Sequence, residues 1–218
     1  MMIKFWMFMG FFGHAICAIA DCMMSYSKSG RFDISMVNEP EKMRKVFSTM
    51  SLKRLEMAMI LETIAMFVAS QGYIGLAEYV EIYSPVASKV LLFSAMFFLI
   101  IIVAHYAFCG AIKWYYVRLG RTDEALQIVK DFFKRTDDEL QVVVETTQKT
   151  VSASLGYVGL FIFAVVLFVL VIKGVTDLPR WACLFNTLVA LLALLPVKLP
   201  AKTNMASAFM FLGLMMVI

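Results

Sequence analysis

Six stretches of this chain are apolar on every helical face, and the charged residues gather between them. The stretches fall at about 3–24, 52–74, 90–112, 150–172, 181–197 and 203–218. The third and fourth are windows of 23 residues without a formal charge, bounded by Lys89 and Lys113 and by Lys149 and Lys173. About 20 apolar residues are needed to cross a hydrocarbon core ~30 Å thick. The last two stretches are shorter, and the 16 residues of the sixth reach only about 24 Å as a helix. Both are still expected to cross. Transmembrane barrels alternate apolar and polar residues, which these stretches do not. The predicted fold is an all-α, polytopic bundle of six transmembrane helices, one integral membrane domain over residues 1–218.

The connecting segments carry patterns of their own. After Pro40, the spacing of Met43, Val46 and Phe47 among basic residues predicts a short amphipathic helix at the membrane surface. In the segment 114–149, Thr122 suits an N-cap, with Asp123 and Glu124 in the first turn. Ala125, Ile128, Val129, Phe132 and Phe133 then mark one helix face. Thr136 and Glu139 form a capping-box pattern for a second helix that runs on into the fourth stretch. These features predict a cytoplasmic amphipathic helical hairpin.

Composition agrees with a membrane setting. Hydrophobic residues are 61% of the chain, charged residues 17%, and the mean hydropathy is +0.81. Soluble domains are nearer half apolar and a quarter charged. Sixteen of the 20 Lys and Arg residues lie in 25–54, 113–149 and 198–202, against Lys4, Lys89, Lys173 and Arg180 on the opposite side. Positive loops stay cytoplasmic, so both termini are expected outside. Ala18-Ile19-Ala20 resembles a signal-peptidase site. The only basic residue before that apolar run is Lys4, however, and the basic cluster follows it, which favours retention as a span. Cys17, Cys22, Cys109 and Cys183 lie in or beside apolar stretches and imply no disulfide framework. Trp6, Trp114 and Trp181 fall where interfacial belts form, and 78–83 reads as an acidic, aromatic outer turn.

Three ionisable residues interrupt the spans: Asp21, Glu62 and His105. A charge at the centre of a span costs at least about 2.5–3.5 kcal/mol, so such residues face protein or water and often mark function. Asp21 falls near the inner end of the first span and His105 in the inner part of the third. Glu62 lies ten residues into the second, about 15 Å along it. Gly13, Cys17 and Asp21 form a ridge that admits a close helix neighbour. Ala58, Glu62, Ala65 and Ala69 share a small-residue face that should turn Glu62 inward. Arg54, Tyr106 and Asn204 complete the candidate ligand-binding set with Asp21, Glu62 and His105.

A histidine with two carboxylates suits acid–base work. His105, Cys109 and Asp21 are suitable zinc ligands by type, and a membrane carboxylate can carry protons. No HExxH, P-loop, GxSxG or CxxC motif is present, and the chain has 2 histidines. Neither a metal nor a cofactor is therefore expected. The bland alternative is that Asp21 bridges helix ends, Glu62 pairs with Arg54 or a tyrosine, and His105 bonds a neighbour.

The strings IADCMMSY, SLKRLEMAMILETIA, AHYAFCGAIKWYY and LPRWACLFN, in that order and at these spacings, resemble an uncharacterised family of bacterial six-helix integral membrane proteins. The resemblance implies a bacterial inner-membrane location, with an Asp, an Arg and a His at positions 21, 54 and 105. It has small residues where this chain has His14 and Glu62. It brings no activity with it.

The leading expectation is binding or transport of a small or lipid-like molecule through a cytoplasm-facing polar pocket, with Asp21 and His105 as the main contacts. One alternative is an intramembrane enzyme acting on a lipid, using His105 with Asp21. Another is a structural or interaction protein working through its cytoplasmic hairpin. Expected partners are membrane lipids and a small-molecule or lipid ligand. Self-association is left open, and nucleic acid is not expected.

Overall fold

A computed structural model describes residues 2–32, 36, 38–137, 151–197 and 199–218, without the side chains of 132–137 and 151–154. The described residues are all-helical apart from one hairpin of two-residue strands. The elements are α1 (Met2–Ser25), β1 (Tyr26–Ser27), β2 (Gly30–Arg31), α2 (Pro40–Phe47), α3 (Leu52–Glu81) and α4 (Pro85–Arg118). They continue with α5 (Asp123–Asp137), α6 (Val151–Ile172), a 3-10 helix (Arg180–Leu184), α7 (Thr187–Leu194) and α8 (Lys202–Val217). Among the described residues, four segments are long and apolar enough to cross a membrane: Met2–Ser25, Leu52–Glu81, Pro85–Arg118 and Leu155–Ile172.

Local chemistry explains most helix starts. Ser51 accepts from the Arg54 backbone N–H at the start of α3. Ser84 does the same for Ala87 at α4, where Pro85 occupies the first turn. Thr122 accepts from the Ala125 N–H at α5, as its sequence pattern predicts. Two helices outrun their apolar windows. Helix α3 continues through the expected outer turn to Glu81, and α4 passes Lys113 to Arg118. Charged residues do not stop a helix whose backbone bonds are already satisfied.

Helices α1, α3, α4 and α6 pack in sequence as antiparallel neighbours, and α8 packs antiparallel on the free side of α1. Helices α6 and α8 therefore point the same way. The chain must return from one end of the bundle to the other between Ile172 and Lys202. It does so through the 3-10 helix and α7, which pack between α6 and α8. The expected continuous fifth span at 181–197 is thus broken. Helix α7 has 8 residues, about 12 Å of length. At the break, Asn186 Oδ1 caps α7 by accepting from Leu188 N–H at 2.9 Å. Its Nδ2 donates to the Ala164 carbonyl of α6 at 2.9 Å. Irregular backbone of this kind is tolerated at depth only where protein satisfies it.

The centre of the bundle is Tyr73 of α3, which is fully buried. Its ring meets His14 of α1, Phe98 of α4, Phe163 of α6 and Phe211 of α8, at centroid separations of 5.0 to 6.0 Å. Five helices thus converge on one aromatic side chain. The α1–α3 seam is close: a Cβ at Gly13 would collide with the backbone of Ala65 and Ala69. Lipid is as apolar as leucine, so packing of this kind, with buried hydrogen bonds, holds membrane helices together. Outward faces carry Phe8, Phe67, Phe93, Ile100 and Phe161 in the open.

A second core lies beyond the α1 C-terminus. Met43, Val46 and Phe47 of α2 pack with Tyr116 and Val117 of α4 and with Ala125, Leu126 and Val129 of α5. The α2 face is the one its spacing predicts, but it is covered by protein. The α5 face differs: Leu126 is buried and Ile128 is 42% exposed, because the stripe turns toward α2 and α4. Phe132, Phe133 and the capping-box pair of Thr136 and Glu139 lie outside the described side chains.

Candidate functional site

The functional candidates gather where α1, α3, α4 and α8 meet, near the C-terminal end of α1. Asn204, in the first turn of α8, is the junction. Its Nδ2 donates to Asp21 Oδ2 and to the Tyr106 hydroxyl, each at 2.8 Å. Its Oδ1 lies 2.9 Å from His14 Nδ1. A carboxamide oxygen only accepts, so His14 Nδ1 carries the proton. His14 Nε2 lies 2.9 Å from the Tyr73 hydroxyl. Tyr73 reaches Ser207 at 3.5 Å, and Ser207 reaches Thr187 at 3.4 Å. One line of polar groups thus runs from Asp21 through the bundle centre to the start of α7.

Glu62 projects from α3 beside this line. The Cys17 thiol approaches the Glu62 carbonyl at 3.8 Å, which sets α3 against the α1 face that carries Asp21 one turn on. The Glu62 side chain faces the Asp21 carboxyl group and lies in the field of Lys113. It is fully buried, and neither carboxylate oxygen has a hydrogen-bond donor. Asp21 itself is only partly buried. Lys113 of α4 is buried, donates to the Met24 carbonyl at 3.4 Å and stands 4.8 Å from the Phe32 ring centroid. Two carboxylates and one ammonium group therefore share a low-dielectric site.

The predicted residues separate into three places. Asp21, Glu62, Tyr106 and Asn204 come together. His105 stands against Cys109, with its ring nitrogens 3.6 and 3.7 Å from the sulfur, and its ring is 6.0 Å from that of Tyr106. Arg54 is used elsewhere: Nε donates to the Met23 carbonyl at 2.9 Å and its terminal nitrogen to the Tyr26 carbonyl at 2.6 Å. It closes the carbonyl end of α1. Arg121 repeats the device on α2, donating to Phe47 and Met50 carbonyls at 2.9 Å. No group of three or more His, Cys, Asp or Glu able to hold a metal occurs among the described residues.

Sequence reasoning missed two members. Lys113 was a span boundary because it is charged, yet α4 continues past it and carries it inside. His14 stands seven residues before Asp21 and so shares its face of α1, a spacing that points inward without naming Asn204 as its partner.

At the opposite end, Tyr79 donates to Asp177 in the loop after α6. That bond holds the Asp177 carboxyl below the usual carboxylate range.

All 218 residues match the family of unknown function DUF6796, and the chain belongs to that family. No curated protein and no solved structure matches it.

Proposed function

We propose that this chain is a multi-pass protein of the cell membrane that binds or carries a small or lipid-like molecule at the Asp21 end of the bundle. The chain crosses six times, with the fifth crossing made by the broken segment of the 3-10 helix and α7. The Asp21 end faces the cytoplasm, and both termini face outside. The concentration of Lys and Arg in 25–54, 113–149 and 198–202 supports that orientation.

The observation that carries the reading is Glu62. A fully buried carboxylate without a donor gives a scaffold nothing that an apolar side chain would not supply better. Beside it, the partly open Asp21 offers a way in from the cytoplasmic end. The polar break at Asn186 and Thr187, joined to the same network through Ser207, fits the habit of membrane carriers to place broken segments beside their sites. The enzyme reading has less support, because His105 is engaged with Cys109 and Asp21 with Asn204.

The test is native mass spectrometry of protein taken from vesicles of phosphatidylethanolamine and phosphatidylglycerol. The native chain should retain a bound molecule that Asp21→Asn and Glu62→Gln release. Equal retention by all three proteins overturns the reading.

A further inference from the structure

We propose that Asp21 and Glu62 share one proton between their carboxyl groups, balanced by Lys113, and that this proton exchanges with water at the Asp21 end of the bundle. The inference rests on the reading of this cluster as the working site and names the ion that it handles.

The argument begins with what Glu62 lacks. It is 0% exposed, and both its oxygens are without a donor. It sits against the face of α1 that carries another carboxyl group: the Cys17 thiol, one turn before Asp21, lies 3.8 Å from the Glu62 carbonyl, and Asp21 and Lys113 are its charged neighbours. Two carboxylates cannot hydrogen-bond each other, because both only accept. One proton between them supplies the missing donor. It also removes the repulsion that two buried like charges would suffer.

The charge balance then closes. Two carboxylates with one proton carry −1, and Lys113 carries +1. Lys113 is fixed near the pair by the Met24 carbonyl and the Phe32 ring. Loss of the proton to water leaves both carboxylates ionised and the site at −1. No other bond forms or breaks.

The other groups facing the pair fit this assignment. Cys17 and Cys22 are on α1; Cys109 and Tyr106 are on α4, where His105 faces Lys113; Tyr157 is on α6. Asn204 and the Tyr106 hydroxyl are bonded to each other, and Asn204 also serves Asp21. Arg54, at the end of α1, is committed to two backbone carbonyls. Glu62 is the deeper member, and the exit for the proton is through Asp21, whose surface is partly open.

The experiment is pH-difference infrared spectroscopy of the intact protein in nanodiscs of phosphatidylcholine and phosphatidylglycerol. The native protein should show a protonated-carboxyl band at neutral pH that shifts in deuterium oxide. Glu62→Gln should lose it, because Asp21 alone beside Lys113 ionises. Lys113→Met should raise its amplitude about twofold, as the pair takes a second proton to stay neutral. Asp21→Asn, nearly isosteric, serves if Lys113→Met does not fold, and should move or remove the band. Absence of the band in the native protein, or an unchanged band in Glu62→Gln, overturns the proposal. A bound molecule retained without the band defeats only the shared proton. The band without a bound molecule defeats only the binding reading.

Discussion

The polar interior has two neighbouring halves that meet at Asn204, and they differ in how well they are bonded. On the Tyr73 side, His14, Tyr73, Ser207 and Thr187 each have a partner, and aromatic rings from α4, α6 and α8 pack around Tyr73. On the Asp21 side, Glu62 has no donor, and Lys113 has one long bond to a carbonyl. A satisfied polar network fixes one arrangement of helices. A half-satisfied one costs stability and is retained where something else is meant to complete it. The Tyr73 half is therefore scaffold, and the Asp21 half is where chemistry can enter.

Substitutions sharpen this contrast. The largest loss is expected from Lys113→Met, about 3 kcal/mol, because the single negative charge of the carboxyl pair then loses its buried counter-ion. Unfolding in mixed micelles measures it, and adding Asp21→Asn and Glu62→Gln together to the same chain should recover most of the loss, because no negative charge then remains at the site. His14→Leu strikes the satisfied half and should cost about 2 kcal/mol by stranding the Asn204 oxygen and the Tyr73 hydroxyl. No second substitution at Glu62 should rescue it. Arg54→Met opens the end of α1 and should cost about 1 kcal/mol, visible as faster amide exchange in the residues around Met23.

Smaller still is the effect of Asp177→Asn at the opposite end. The Asp177 carboxyl is held low by Tyr79. Its contribution is therefore present above the ordinary aspartate range and lost as pH falls through the lowered value. Because that carboxyl is mostly exposed, solvent screens the effect. Acid titration should release the Tyr79 ultraviolet signal in the native chain and show no such step in the variant. Glu62→Gln should leave stability nearly unchanged while altering the bound proton and ligand. A clear loss of stability in that variant would return Glu62 to the scaffold.

Much of this architecture is legible in the sequence. Apolar windows located the four long helices, and Thr122 marked the start of α5, whereas the caps Ser51 and Ser84 emerge only from the structure. The small-residue face of α3 turned Glu62 inward, as its spacing requires. What the sequence does not encode locally is lateral pairing. Whether Asp21 meets Glu62 or His105 depends on the rotation of α3 and α4 about their axes, and that is set by contacts such as Gly13 on Ala65. Arg54 is a similar case. A buried-looking arginine near carboxylates reads as a salt bridge, but its fork matches the carbonyls of Met23 and Tyr26 instead. Lys113 was hidden by the rule that charges end spans.

His14 and Asn204 are separated by 190 positions along the chain. Helix α1 receives its hydrogen-bond partner from α8, which is synthesised long after it. Until α8 enters the bundle, His14 and Asp21 face an unfilled side of α1, and the growing protein holds its polar interior open to whatever surrounds it. Closure of the site thus waits on α8, and a chain cut before Lys202 lacks the Asn204 that joins His14 to Asp21.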